Sequence, residues 1–350
     1  MKRLHALDAV KFLFSIIIVF FHLFYSNMKP YIGGTELFQL AAIAMQSSGA
    51  IVECFLIIAG YFIYTGFKKA NKSFATYVSD RLIRLWPVFA FYCLCSVFLV
   101  NCNYQDLFLD LCFLRCTGIS LAYRGIIWYI PPFFWCSLLI YAILKAFSRQ
   151  KAILLLAVLM YICYAVNINH LNGGLGRETI HKWLSLGMLR VMGGLCAGVL
   201  VAVIKEMWFQ QDILSPKRKY VCISLIEALS LGTLTWHFLI EKLYNNTIIS
   251  VIIFSILFLC LLSNSGLISR ILSWSPLAYC GRFCYSIYVM QQISFWILAR
   301  LYWKPYTESI QQHPALSIAL SGICSILIGI ATYYLVEAPA IKLWYRFQKA

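Results

Sequence analysis

A lysine and a histidine lie eleven positions apart in the first apolar segment, at Lys11 and His22. Eleven residues of α-helix make about three turns and rise about 16 Å, so both side chains fall on one helix face. An imidazole within a membrane span is costly and usually faces a bundle interior or a polar path. The pair indicates either general-base chemistry by the histidine, or a snorkelling lysine and a histidine that is hydrogen-bonded between helices.

A carboxylate, Glu53, stands in the otherwise apolar stretch GAIVECFLIIAGYFIY. A carboxylate beside an imidazole raises the basicity of the ring and fixes its tautomer. We therefore expect His22, in the neighbouring segment, to be its partner, and the alternative is a structural hydrogen bond to another helix. Gly60 in the same stretch would let a backbone or a ligand come close.

Two arginines with i, i+3 spacing, Arg81 and Arg84, begin the stretch SDRLIRLWPVF. They project from one face of a helix start, and the guanidinium fork suits phosphate oxygens. At the cytoplasmic mouth of a bundle such a pair could hold a phosphorylated donor. An isolated pair of this kind is also typical of plain anchoring by the positive-inside rule.

Further polar groups occur in later apolar segments. Arg190 precedes Gly194 and Gly198, whose four-residue spacing favours close helix packing, and the arginine itself is either a second anchor or faces a polar cavity. Gln291 and Gln292 lie inside an apolar segment, where amides either join helices or contact a substrate.

The composition indicates the elements that must position these residues. Hydrophobic residues make up 62% and charged residues 12% of the 350 residues, against about 45–50% and about 25% in a soluble domain. This is the composition of an all-α, polytopic membrane bundle. Ten apolar runs are close to or above the roughly 20 residues that a membrane span needs. The seventh run is the least certain, because it contains Glu227. The runs are residues 9–26, 39–66, 84–102, 126–147, 151–168, 184–205, 219–237, 247–264, 277–299 and 315–336.

The basic residues give the expected orientation. With the N-terminus placed in the cytoplasm, most of the 29 Lys and Arg residues fall on the cytoplasmic side, and ten spans put both termini there. The formal charge of +16 is thus explained by orientation and contact with anionic membrane lipids, so nucleic-acid binding is not needed. The fourteen cysteines include no C-x-x-C pair, and we expect small buried hydrophobes rather than a metal site.

In order and spacing, these motifs resemble the acyltransferase 3 family of integral-membrane acyltransferases. The resemblance covers about residues 3–340. It rests on Leu7, Asp8, Lys11 and His22, then Glu53, Phe55 and Gly60, then Arg81, Arg84 and Pro87, then Trp128 and Tyr129, Arg190, Ser286 and Tyr288, and finally Glu337 and Pro339.

The resemblance implies an O-acyltransferase of the bacterial plasma membrane, formed by one membrane domain (residues 1–350) with no appended soluble domain. The acyl group, most often acetyl, would come from cytoplasmic acyl-coenzyme A as co-substrate, with no permanently bound cofactor and no metal. The acceptor would be a hydroxyl of a surface polysaccharide or a lipid-linked glycan.

The resemblance also suggests roles for residues. His22 would be the catalytic base with Glu53 as its orienter, while Arg81, Arg84 and Lys11 would bind acyl-coenzyme A. The acceptor side or structural roles would fall to four residues: Arg190, Trp128, Tyr288 and Gln291.

Two departures from the family pattern affect these expectations. Lys11 stands where the family usually has arginine, which keeps the charge but loses the bidentate fork. Gln291 and Gln292 stand where the family often has histidine after Tyr288. The alternatives are a transporter or flippase with buried ionisable groups, or an inactive partner in a polysaccharide-synthesis complex. No pair of broken spans suggests the inverted repeats of a transporter.

Overall fold

The chain forms a bundle of helices. A computed structural model describes residues 4–23, 49–100, 103–117, 119, 125–171, 175–176, 179–181, 184–208, 215–240 and 247–348. Parts of three predicted spans (24–26, 39–48 and 101–102) lie outside these residues. The predicted all-α class is confirmed, since the described strands form one short antiparallel pair, β1 (Thr179–His181) and β2 (Leu184–Ser185).

Fourteen α-helices are present among the described residues. In chain order they are α1 (His5–His22), α2 (Gly49–Ala70), α3 (Phe74–Val100), α4 (Tyr104–Leu111), α5 (Ile130–Ala146), α6 (Arg149–His170), α7 (Leu186–Trp208), α8 (Pro216–Ile240), α9 (Thr247–Ser263), α10 (Leu267–Leu272), α11 (Ser275–Cys280), α12 (Cys284–Gln312), α13 (Pro314–Thr332) and α14 (Ala338–Phe347). Two 3₁₀ turns (Gly125–Ile127 and Gly281–Phe283) and a π-helical turn (Tyr333–Glu337) connect some of them.

Each predicted span coincides at least in part with a helix, but the count of ten stays a prediction. Among the described residues, seven helical segments are long and apolar enough to cross a bilayer. They are His5–His22, Ala50–Ala70, Phe74–Leu99, Gly125–Ala146, Arg149–His170, Leu186–Trp208 and Ala315–Phe347. The helix α9 is apolar but shorter. The cytoplasmic placement of both termini also stays a prediction.

Two helix groups form the core. In the first, α7 packs along α2 on one side and α6 on the other. In the second, α12 packs along α13 and contacts α1 and α3. Because α1 and α12 carry His22 and Gln291, the second group determines how those two side chains meet.

The crossing of α2 and α7 depends on two glycines. A Cβ atom at Gly60 would overlap the carbonyl oxygen of Leu195, and one at Gly198 would overlap the carbonyl oxygen of Ile57. The backbones therefore touch directly, as the spacing of small residues predicted. The close approach brings the Glu53 end of α2 against the Arg190 end of α7.

We expect Gly60→Ala to destabilise the chain by about 1–3 kcal/mol, because the added methyl group forces two backbones apart. Thermal unfolding in detergent measures the loss. The matched control is Gly66→Ala on the same helix, where no described atom lies within 4 Å of the added Cβ. An equal loss in the two variants would contradict the direct backbone contact.

Glu227, inside α8, has a local structural partner. Its Oε2 accepts a hydrogen bond from the backbone N–H of Ile268 (2.8 Å), and its Oε1 accepts one from Ser269 (3.3 Å). These N–H groups belong to the first turn of α10, where backbone donors have no acceptor within their own helix. The carboxylate thus caps a neighbouring helix, which explains an acid inside an apolar segment.

Candidate active site

His22, the last residue of α1, meets an amide of α12. The imidazole Nδ1 lies 3.1 Å from Oε1 of Gln291. The amide nitrogen of Gln291 donates to the carbonyl oxygen of Tyr288 (2.8 Å), which directs its oxygen towards the imidazole. An amide oxygen only accepts hydrogen bonds, so Nδ1 must carry the proton. In the neutral ring the lone pair then resides on Nε2, the atom that can accept a proton.

The predicted pairing of Glu53 with His22 is wrong. Glu53 is buried, and its Oε1 accepts a hydrogen bond from the Nε of Arg190. Its Oε2 accepts a hydrogen bond from the Tyr164 hydroxyl (3.1 Å). The α2–α7 crossing places the carboxylate against a guanidinium, and a buried charge of this kind needs an opposite charge. Gln291 occupies the position beside His22 that the sequence suggested for Glu53.

Arg190 is buried and is held by several groups. One Nη donates to the carbonyl oxygen of Leu175 (3.1 Å), and the guanidinium carbon lies 5.6 Å from the centroid of the Trp128 ring. Trp128 in turn packs against Gly187, where a Cβ would stand only 3.0 Å from the indole. Arg190 is thus an internal ion-pair partner of Glu53, and its predicted role on the acceptor side stays a prediction.

The turn before α5 connects this ion pair to the helix that carries Gln291. The Tyr288 hydroxyl donates to the carbonyl oxygen of Ile126, and the rings of Tyr129 and Tyr288 lie 4.9 Å apart. The predicted acceptor-side residues Trp128, Tyr288 and Gln291 therefore lie in one continuous region.

Two tyrosines of this region were missed in the sequence. The Tyr92 hydroxyl donates to Oε1 of Gln292 (3.2 Å), so the second amide has a partner on α3. The Tyr164 hydroxyl donates to Glu53. The available signal was a phenol inside an apolar segment, which usually finds a hydrogen-bond partner when buried. That signal does not identify the partner.

Lys11 lies towards the N-terminal end of α1, the helix that ends at His22. Its ammonium forms a 2.6 Å ion pair with Asp8, one turn earlier, and lies 5.8 Å from the centroid of the Phe62 ring. The ammonium is thus partly neutralised by its own helix. Asp8 also packs against Gly281, where a Cβ would overlap the Asp8 backbone, so this end of α1 adjoins the turn that starts α12.

The two arginines of the R-x-x-R pair have different surroundings. Arg81 donates through Nε to the Tyr77 hydroxyl (2.8 Å), and its guanidinium carbon lies 5.8 Å from the centroid of the Phe133 ring. Arg84 is exposed and lines a cavity with Glu337 and Arg282. One face of α3 therefore presents both cations, but only Arg84 lines the cavity.

The acid next to this pair, Asp80, is already bound. Its carboxylate pairs with Lys72 and accepts a 3.4 Å hydrogen bond from the indole of Trp344. The hydrogen bond to Asp80 raises the pKa of Lys72, in the loop before α3, above its usual value, against the opposing effect of burial. Among the described residues, no cluster of three His, Cys, Asp or Glu side chains is placed to hold a metal ion.

Comparisons with known proteins place the chain in a family. The model of the family Acyl_transf_3, described as an acyltransferase domain, matches residues 4–334 of the 350. No curated protein matches the chain, and no solved structure matches it. The match covers nearly the whole bundle, including α1 with Lys11 and His22, α3 with Arg81 and Arg84, and α12 with Gln291. The chain belongs to the acyltransferase 3 family, which indicates an acyltransferase built from apolar membrane helices.

Proposed function

We propose that this protein transfers an acyl group, acetyl in the simplest case, from cytoplasmic acyl-coenzyme A to a hydroxyl of a surface polysaccharide or lipid-linked glycan. We place it in a bacterial plasma membrane. The observation that carries the proposal is the contact between His22 and Gln291. It gives a membrane-helix imidazole one defined tautomer, with the basic nitrogen at Nε2, and this suits a general base.

The chemistry follows from that tautomer. A sugar hydroxyl is a poor nucleophile, so Nε2 of His22 takes its proton as the oxygen attacks the thioester carbonyl carbon. The carbon–sulfur bond then breaks, and the thiolate of coenzyme A leaves with the electron pair. The imidazolium returns the proton to the thiolate. The products are an ester on the acceptor and free coenzyme A, and His22 is regenerated.

The cation distribution supports a donor that enters from the cytoplasmic end. Lys11 and His22 share one helix face and are about 16 Å apart along the axis. Arg81 and Arg84 belong to the same predicted cytoplasmic end as Lys11. A long thin pantetheine arm could connect phosphate groups held at that end with a thioester beside His22. Lys11, Arg81 and Arg84 are the donor-binding residues of this proposal.

The proposal is tested with purified protein in detergent and radiolabelled acetyl-coenzyme A. A crude extract of lipid-linked glycans supplies acceptors. We expect loss of the thioester and transfer of label to a glycan, both dependent on the protein. A well-folded bundle that neither binds nor consumes the donor would contradict the proposal and favour a transporter.

The amide of Gln291 gives a second, sharper expectation. Gln291→Leu keeps the volume but removes the acceptor that fixes the tautomer, so we expect transfer to fall about tenfold, the equivalent of one hydrogen bond. Gln291→Glu restores an acceptor at the same position, so we expect it to recover most of the lost transfer.

The matched control is Gln292→Leu, which removes the neighbouring amide, the acceptor for the Tyr92 hydroxyl. Steady-state rates and pH profiles of the three variants are compared at saturating donor. An unchanged rate and pH profile in Gln291→Leu would exclude a positioning role for this amide.

A further inference from the structure

A basic cavity lies at the end of the bundle where α3, the turn before α12 and α14 meet. It has a volume of about 250 Å³ and is lined by residues that include Arg84, Arg282 and Lys342. The wall also includes Glu337 and Tyr333 from the π-helical turn. Three cations and one carboxylate leave a net positive charge, so the cavity suits an anion.

The cations come from separated parts of the sequence and are held differently. Arg282 donates through Nε to the carbonyl oxygen of Tyr279 (3.2 Å), and its guanidinium carbon lies 3.5 Å from the centroid of the Tyr279 ring. This stacking fixes the plane of the guanidinium, a geometry that favours bidentate recognition of phosphate. Arg84 and Lys342 are exposed side chains on two helices that border the same cavity.

Salt bridges do not account for these cations. None of the three forms a salt bridge with a carboxylate that the structure describes. Glu337 is buried, and its Oε2 accepts a 2.6 Å hydrogen bond from the Ser286 hydroxyl. The carboxylate is thereby held at the protein wall while the positive side chains border the open space.

The cavity also adjoins the proposed donor path. Gly281, directly before Arg282, packs against the backbone of Asp8, and the carboxylate of Asp8 pairs with Lys11. The stacked arginine therefore stands beside the end of α1 from which the Lys11–His22 face begins. A phosphorylated group in the cavity would lie next to the start of that face.

We propose that this cavity binds the phosphomonoester of the acyl donor, with Arg282 and Lys342 as binding residues outside the R-x-x-R pair. The inference rests on the proposed function. A phosphomonoester carries about two negative charges at neutral pH, which matches three cations less one carboxylate. The same chemistry occurs in anionic lipid headgroups, so the test must separate a bound donor from a bound lipid.

The test measures affinity for coenzyme A and for its 3′-dephospho form in nanodiscs of phosphatidylcholine. We expect the wild type to bind coenzyme A at least about tenfold more tightly, the value of a charged hydrogen bond. In Arg282→Gln and in Lys342→Gln this ratio should fall towards one, with little change for the dephospho form. The control is Arg270→Gln, since Arg270 also stacks on a tyrosine, Tyr220, but does not line the cavity.

The outcomes are distinct. Retained discrimination in Arg282→Gln and Lys342→Gln would overturn the cavity assignment while leaving the proposed function intact, as would equal wild-type affinity for the two forms. If phosphatidylglycerol raises the unfolding temperature of the wild type and not of Arg282→Gln, while discrimination is kept, the site is a lipid site and the proposal fails. Failure of the wild type to bind either form would overturn both this inference and the proposed function.

Discussion

Replacing His22 with alanine is expected to lower acyl transfer by about 10²–10⁴-fold, the usual contribution of a positioned general base. Without the imidazole, the acceptor hydroxyl loses the proposed base that takes its proton during attack on the thioester. His22 is partly exposed at the end of α1, so its loss leaves the helix core intact. The measurement is label transfer from acetyl-coenzyme A in detergent, with thermal unfolding to show that the variant folds.

The control for this variant is His170→Ala. His170 ends α6 and is exposed, so its removal should leave transfer unchanged. Donor affinity should also persist in His22→Ala, because the proposed phosphate-binding cations are untouched. Retained transfer in His22→Ala would rule out this histidine as the base, and a loss of donor binding would instead indicate a role in holding the thioester.

The helices were predictable because apolar runs mark membrane segments whatever their neighbours are. The residues at which the helices begin and end were harder to predict. The third span was predicted from residue 84, but α3 begins at Phe74, because the charged turns around Asp80 and Arg81 are compatible with a helix in the polar interface. Hydropathy detects the part of a helix in lipid, and it does not detect the part that extends beyond.

The partners of buried charges were not predictable from single segments. Glu53 was expected to meet His22 because both lie inside early, consecutive spans. The direct contact at Gly60 and Gly198 instead turns α2 towards α7, so that Glu53 meets Arg190. Sequence position gives a residue its depth along a helix. The direction it faces depends on which helices pack together, and that depends on contacts between distant segments.

The partner of Gln291 was also not predictable from the sequence. An amide in an apolar helix indicated either helix contact or substrate contact, and the structure gives it a specific neighbour, the imidazole of His22. Its orientation depends on the carbonyl oxygen of Tyr288, in its own helix. A glutamine at this position can therefore do the orienting that a carboxylate was expected to do, without adding a charge to the membrane interior.

Removing one member of the Glu53–Arg190 pair is expected to cost about 3–5 kcal/mol, because the other buried charge loses the opposite charge that it contacts directly. Glu53→Leu removes the carboxylate that the Arg190 guanidinium contacts, and Arg190→Met removes the guanidinium that the Glu53 carboxylate contacts. The double variant should lose much less than the sum of the two single losses, since no charge remains buried. Unfolding free energies in mixed detergent micelles give all four corners of this cycle.

The matched control is Glu206→Gln. Glu206 pairs with Lys68 (2.8 Å) and Arg149 (2.7 Å), whose side chains are well exposed, so the cost should be about 0–1 kcal/mol. Strictly additive losses at Glu53 and Arg190 would contradict the buried pair.

The double variant also separates structure from catalysis: if Glu53 served His22, this variant would fold and yet fail to transfer. Because Gln291 orients the imidazole, we expect it to fold and to retain transfer.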